Sequence, residues 1–271
     1  MTLLPDPETF LSGEHGEVGG RRGALRRGAD RALDAWLGAS GALRAIDAAA
    51  ESVPARDVTV ASVYRPPREL LDAALPHLKS ARHDVRHRFG STAELTGGKF
   101  QNLNALLADE HADWLLMVDD DVVLPPRFLD RMVALCERFD LAMAQPAQSL
   151  ASHAAWRVAR RRPRSILRES RFVEIGPVTI FRRDAAEELL PFPPLRYGWG
   201  LDLAWAATAL ERGWRLGIAD ALPVRHESAR VGTAYPAAAA IEEAREFLST
   251  RPYLSSAAAQ ETLVTHRGLP R

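Results

Sequence analysis

A hydrophobic run, Trp114-Leu-Leu-Met-Val118, halts at three consecutive acids, Asp119, Asp120 and Asp121, then resumes at Val122-Val-Leu124 before Pro125-Pro126. An apolar run of this length bounded by charge is the pattern of a strand covered on both faces, as in a parallel sheet between helices. The acids then fall at the strand's carboxyl end, where open α/β sheets place their ligands. Carboxylates crowded there repel one another unless a cation neutralises them. Hard oxygens one residue apart suit Mg2+ or Mn2+ bridging a diphosphate. Strand alternation puts Asp119 and Asp121 on one side and Asp120 on the other.

The flanking sequence repeats the same logic. Residues 57–64 read as a strand ended by Arg65-Pro-Pro, and residues 85–89 as a second strand. Between them Leu70, Leu71, Ala74 and Leu78 mark a helix. Further helices are expected over 100–107, 125–139, 203–210 and 237–248, and strands over 141–147, 173–181 and 216–218. This alternation predicts a mostly parallel sheet flanked by helices. An Ala-rich helical stretch over 29–52 precedes it, behind a Gly-, Glu- and Arg-rich lead-in over 1–24. Seven arginines between Arg157 and Arg171, with Trp156 beside them, read as a solvated helical insertion or as a basic lip for an anionic ligand. The expected organisation is an extension over 1–55, a main domain over 56–230 and a helical tail over 231–271.

Composition excludes several functions. The 35 basic and 35 acidic residues cancel, which removes the electrostatic argument for nucleic acid. No apolar stretch approaches the ~20 residues of a spanning helix, and the N-terminus lacks a signal-peptide layout. The single cysteine, Cys136, leaves no internal disulfide and sits in an apolar helical pattern, which fits a reducing, cytoplasmic setting.

Four constellations bear chemistry. Beside the acidic triplet, Gly97-Gly-Lys99 opens a helix and offers exposed amides with a cation, while Asn102 and Asn104 are placed to bond ribose or base. The spacing is not that of an ATPase phosphate loop. Next, Tyr197-Gly-Trp199-Gly-Leu-Asp202 places a carboxylate at a helix start, where an N-cap role competes with that of a general base beside an aromatic platform. The helix end is expected to hold this carboxylate ionised, with a low pKa. Last, His226 follows a strand end and becomes a metal ligand only if the fold carries it to the triplet.

In order and spacing, Gly98-Lys99-x-x-Asn102-Leu-Asn104, Val-Asp119-Asp120-Asp121 with Pro-Pro-x-Phe-Leu, Gly176-Pro-x-x-x-Phe-Arg-Arg and Gly198-Trp-Gly-Leu-Asp202 resemble a family 2 type glycosyltransferase of the GT-A fold over roughly 57–228. The resemblance implies a Rossmann-like nucleotide-sugar domain. Asp119 and Asp121 would be the DXD-type pair holding Mn2+ or Mg2+, and His226 a further metal ligand. Asp202 would be the catalytic base. Tyr64, Arg65, Lys99, Asn102, Asp119, Asp120 and Trp199 would line the donor side. The donor would be a nucleoside diphosphate sugar. The acceptor is left open between a glycan, a lipid-linked molecule and a small molecule, and peripheral contact with the inner membrane face is compatible with such an acceptor. The chain departs from the family pattern at Tyr64-Arg-Pro, at Arg86-His-Arg88, where acids that grip the nucleoside are usual, and at Leu201, where a second acid is usual. A sugar-phosphate nucleotidyltransferase is the main rival. It normally carries a Gly-rich basic loop after its first strand, which is absent here. The other rival is a non-catalytic nucleotide-sugar binding protein on the same fold.

Overall fold

The computed structural model describes residues 20–152, 154–226 and 236–270. The lead-in up to residue 19, Glu227 and Ser228, and the start of the tail expected from 231 lie outside these residues.

In chain order the elements are α1 (Gly20–Ala39), α2 (Ala42–Ser52), β1 (Asp57–Tyr64), α3 (Glu69–Ala74), β2 (Asp84–Ser91), α4 (Lys99–Leu106), β3 (Trp114–Val118), β4 (Val122–Val123) and α5 (Phe128–Arg138). They continue as β5 (Met143–Gln148), β6 (Leu167–Ser170), β7 (Val178–Arg182), α6 (Arg183–Leu189), α7 (Leu201–Arg212), β8 (Leu216–His226), α8 (Ala237–Ser249), α9 (Ser256–Ala259) and β9 (Thr262–His266). The α/β class expected from the sequence is observed: a central sheet flanked by helices, entered through the N-terminal helices α1 and α2.

The strands sort their side chains by period two into two cores. Val58 and Val60 of β1 and Trp114, Leu116 and Val118 of β3 join Ile46 of α2, Leu71 of α3 and the Phe128–Cys136 face of α5. Ala61 of β1 and Leu115 and Met117 of β3 turn the other way, toward Phe100 and Leu103 of α4 and Trp205 of α7. A strand that feeds two cores must be apolar on both faces, which is why β3 reads as an unbroken hydrophobic run. Cys136 is fully buried in the first core.

The sheet order is β2-β1-β3-β7-β5-β8-β6-β9, with β4 paired to β8. Parallel pairing joins β2, β1 and β3, and again β5 and β8. The remaining pairs, including β3–β7 and β6–β8, are antiparallel, so the sheet is mixed rather than mostly parallel. Because β1 lies between β2 and β3, the chain reverses its direction of winding there. A crevice opens at the carboxyl ends of strands at such a point.

Three segments depart from expectation. The Arg-rich stretch is not a helix: apart from a single 3-10 turn at Arg157–Ala159 it runs as irregular chain into β6. Its charge is partly internal. The side chain of Arg168 is fully buried, donates Nε and Nη2 to the two carboxylate oxygens of Asp220 at 2.8 and 3.0 Å and also donates to the carbonyls of Val158 and Arg160. Arg161 reaches Asp34 on α1 at 2.7 Å, and Asp30 accepts the N–H groups of Leu150 and Ala151. The stretch is thus the seat on which α1 docks. The strand expected over 173–181 begins only at Val178, after Gly176-Pro177. The segment read as a helical tail contains α8 and α9 and ends in β9, the outermost strand of the sheet.

Candidate active site

The acidic triplet follows the carboxyl end of β3, at the point where the strand order reverses. Asp120 turns toward β1 and accepts the backbone N–H of Arg65 at 2.6 Å, tying the ends of β1 and β3 together. Partial burial pushes its pKa up, against the pull of that hydrogen bond. Asp119 takes the Nζ of Lys99 at 2.6 Å on Oδ1, and its N–H donates to the carbonyl of Pro177 at 2.8 Å. Asp121 pairs with His226 Nε2 at 2.9 Å.

The last contact follows from register. β4 lies antiparallel to the end of β8 with Val122 opposite His226, so the residue before Val122 stands beside the imidazole. Burial lowers the pKa of His226, but its hydrogen bond to Asp121 and the charges of Asp121 and Asp119 outweigh it, and the net shift is upward. One ligand atom from each of Asp119, Asp121 and His226 lies within 4.8 Å of the others. Two bonds of about 2.1 Å hold ligands at most about 4.2 Å apart, so a small divalent ion needs only a slight closing of this group. Two carboxylates and an imidazole, with room for substrate or water oxygens, are a donor set that fits Mn2+ or Mg2+.

The glycines nearby are spatial requirements. A Cβ on Gly176 would come within 2.8 Å of both Asp119 Oδ2 and Lys99 Nζ, so the backbone there forms a wall of the ion pair. A Cβ on Gly98 would meet the backbone of Arg196 at 2.3 Å, which fixes the start of α4 and hence Lys99.

Asp202 lies in the first turn of α7, which is capped by Gly200 rather than by a side chain. The expectation that the helix end holds it at low pKa is overturned. Burial pushes its carboxyl up to about 7, against hydrogen bonds from the backbone of Leu203 and from Trp156. Desolvation therefore outweighs the helix end here.

A second buried acid escaped the sequence reading. Glu174 is pushed up to about 8 by burial, and the charge of Asp202 adds to the shift. Gln145 grips it twice, donating Nε2 to its carboxylate at 3.2 Å and accepting its backbone N–H on Oε1. Gln148 also bonds its side chain. Gln148 in turn accepts the Ser152 hydroxyl at 2.9 Å, and Ser152 Oγ accepts the N–H of His226 at 2.9 Å. The available signal was an isolated acid between Val173 and Ile175 in a strand-like run.

Other expected donor residues are placed differently. Asn102 gives its amide hydrogens to the carbonyls of Leu95 and Gly97, and Asn104 makes a two-way pair with the backbone of Phe192. Both side chains hold loops in this structure. Trp199 is only 7% exposed and packs on Ala240 and Ala244 of α8, so it is not an open aromatic platform. The loop before it is held from α8 as well: Glu243 accepts the N–H groups of Arg196, Tyr197 and Gly198 at 2.6, 2.9 and 3.0 Å. Tyr64 is half-buried at the end of β1, with the Arg68 guanidinium 5.2 Å over its ring, and Arg65 is exposed.

No family model and no curated protein matches the chain. Among solved structures it is similar to the mannosyltransferase PcManGT from Pyrobaculum calidifontis in complex with GDP-Man and Mn2+, at 17% identity and a TM-score of 0.43, over 69% of this chain and 65% of that one. It is also similar to S. aureus TarS 1-349, at 13% identity and a TM-score of 0.40, over 60% of this chain and 58% of that one. The complex of TarS 1-349 with UDP-GlcNAc matches at 13% identity and a TM-score of 0.44, over 66% of this chain and 61% of that one. The chain thus spans about three fifths of the length of the solved structures it matches.

Proposed function

We propose that this chain is a metal-dependent glycosyltransferase of GT-A type that moves a sugar from a nucleoside diphosphate sugar to an acceptor hydroxyl. The observation that carries the reading is the convergence of Asp119, Asp121 and His226 at the carboxyl ends of β1 and β3. Residues 56–230 carry the chemistry, and α8 of the 231–271 segment shapes the loop before Asp202.

Asp119, Asp121 and His226 would hold the divalent ion, which supplies charge neutralisation for a leaving diphosphate when bound. Asp202 is the general base. With its carboxyl at about 7 it is substantially ionised at neutral pH, and it is a stronger base than an ordinary aspartate. It takes the proton of the acceptor hydroxyl as that oxygen bonds to the anomeric carbon and the bond to the diphosphate oxygen breaks. A single displacement of this kind inverts the anomeric centre. Tyr64 and Arg65 flank the nucleotide side of the crevice. Among the described residues no helix is long and apolar enough to cross a membrane, and the acceptor is left open between a glycan, a lipid-linked molecule and a small molecule.

A thermal-shift screen of UDP-, GDP-, dTDP- and CMP-linked sugars, with Mn2+ and with EDTA, tests this. Metal-dependent stabilisation by one nucleoside diphosphate sugar is the expected result. Stabilisation by nucleoside triphosphates alone would transfer the site to nucleotidyl transfer. No shift with any ligand would sink the reading.

A further inference from the structure

We infer that Lys99 is a built-in counter-ion that competes with the divalent ion for Asp119, so that the site takes the ion tightly only when a diphosphate draws the ammonium away. The inference rests on the metal-dependent reading above and deepens it.

Lys99 is the first residue of α4, and its Nζ lies 2.6 Å from Asp119 Oδ1 and 3.2 Å from the carbonyl of Ile175. Asp119 is one of the three residues whose ligand atoms converge, so the ammonium sits on a carboxylate that the ion also needs. Two cations on one carboxylate repel one another. The Gly176 backbone walls the pair on one side, with no room for a Cβ, so the ammonium and an incoming ion approach Asp119 in a confined space.

The residue type suits a counter-ion that must let go. The chain carries 35 lysines and arginines, and only Lys79 and Lys99 are lysines. Arginine would clamp the carboxylate with two parallel bonds, whereas lysine makes a point contact on a flexible stem. The pair is also partly open to solvent, with 30% and 28% of the two side chains exposed, where an ion pair adds little stability. A diphosphate offers the ammonium a denser negative charge within reach of the same stem.

The test is Mn2+ binding by isothermal titration calorimetry on the full chain, without and with inorganic pyrophosphate. Lys99→Met and Lys99→Gln are compared with the wild type, with Asp121→Ala as the control for the site. Circular dichroism melts check that each variant folds. Without pyrophosphate, both Lys99 variants are expected to bind Mn2+ about ten-fold more tightly than wild type, as removal of an adjacent like charge requires. Pyrophosphate should then tighten Mn2+ binding to wild type and do so much less in the variants. If Asp121→Ala loses Mn2+ while the Lys99 variants bind it as wild type does or more weakly, the competition is overturned and the metal site stands. If Asp121→Ala binds Mn2+ like wild type, the metal site itself fails and the inference falls with it.

Discussion

Two acid-bearing regions stand side by side in this molecule and are kept in opposite states. The triplet at the end of β3 is half-buried, and its members are matched to Lys99, to the Arg65 N–H and to His226. Glu174 and Asp202 are buried, are bonded by amides and an indole rather than by cations, and are pushed up to about 8 and about 7. Under the proposed function the same functional group would hold positive charge in one region and exchange a proton near neutrality in the other. Environment rather than residue type divides the labour, as it does wherever paired carboxylates take different roles.

Replacing Asp202 by asparagine should have the largest effect. Turnover falls by about 10^3-fold or more, at the upper end of what a general base contributes, while Mn2+ and donor binding are kept. If the Asp202→Asn enzyme turned over at near wild-type rate, the base would lie elsewhere. In the wild type, kcat/KM should rise with pH through about 7 as Asp202 loses its proton. A profile flat from pH 6 to 8 contradicts this assignment. Next, Asp121→Ala should weaken Mn2+ by at least about ten-fold, the lower bound seen even for loss of outer partners of a metal site. Should Asp202→Asn weaken Mn2+ equally, the two regions act as one electrostatic unit and the contrast between them breaks.

The smallest effect is on stability. Between about pH 4.5 and 8 the unfolded chain has ionised Glu174 while the folded protein keeps its proton. Unfolding then releases a proton, so stability falls as pH rises through that window and levels off above it. Asp202 adds the same sign between about 3.8 and 7. Thermal melts from pH 5 to 8.5 should slope downward, and Glu174→Gln should flatten that slope whatever its starting level. An unchanged slope would mean that Glu174 is ionised in the folded state.

What was legible in the sequence was what depends on neighbours along the chain. β1 and β3 declared themselves by apolar runs, and the triplet by its abrupt charge. Gly98 and Gly176 stood out in the motifs, but the close approaches they serve appear only in the fold. What was hidden depends on partners far away in sequence. The Arg168 charge reads as solvated until Asp220, 52 positions later, enters its burial site. Asp202 at a helix start reads as an ionised carboxylate, because a sequence does not announce that Trp156 and the second core will close over it. β9 carries only a short run, Thr262–His266, and is a strand because β6 offers it an edge. The bonding of Asn104 was hidden for the same reason: the Phe192 backbone it pairs with lies 88 positions later.

The grip of Glu243 on Arg196, Tyr197 and Gly198 has a consequence for synthesis. Every strand from β1 to β8 leaves the ribosome before this carboxylate does. A nascent chain can therefore assemble most of its sheet while the turn that presents Asp202 still lacks its anchor. The order of translation therefore puts the anchoring of this loop after the synthesis of β1 to β8, with only the pairing of β9 left to complete the sheet.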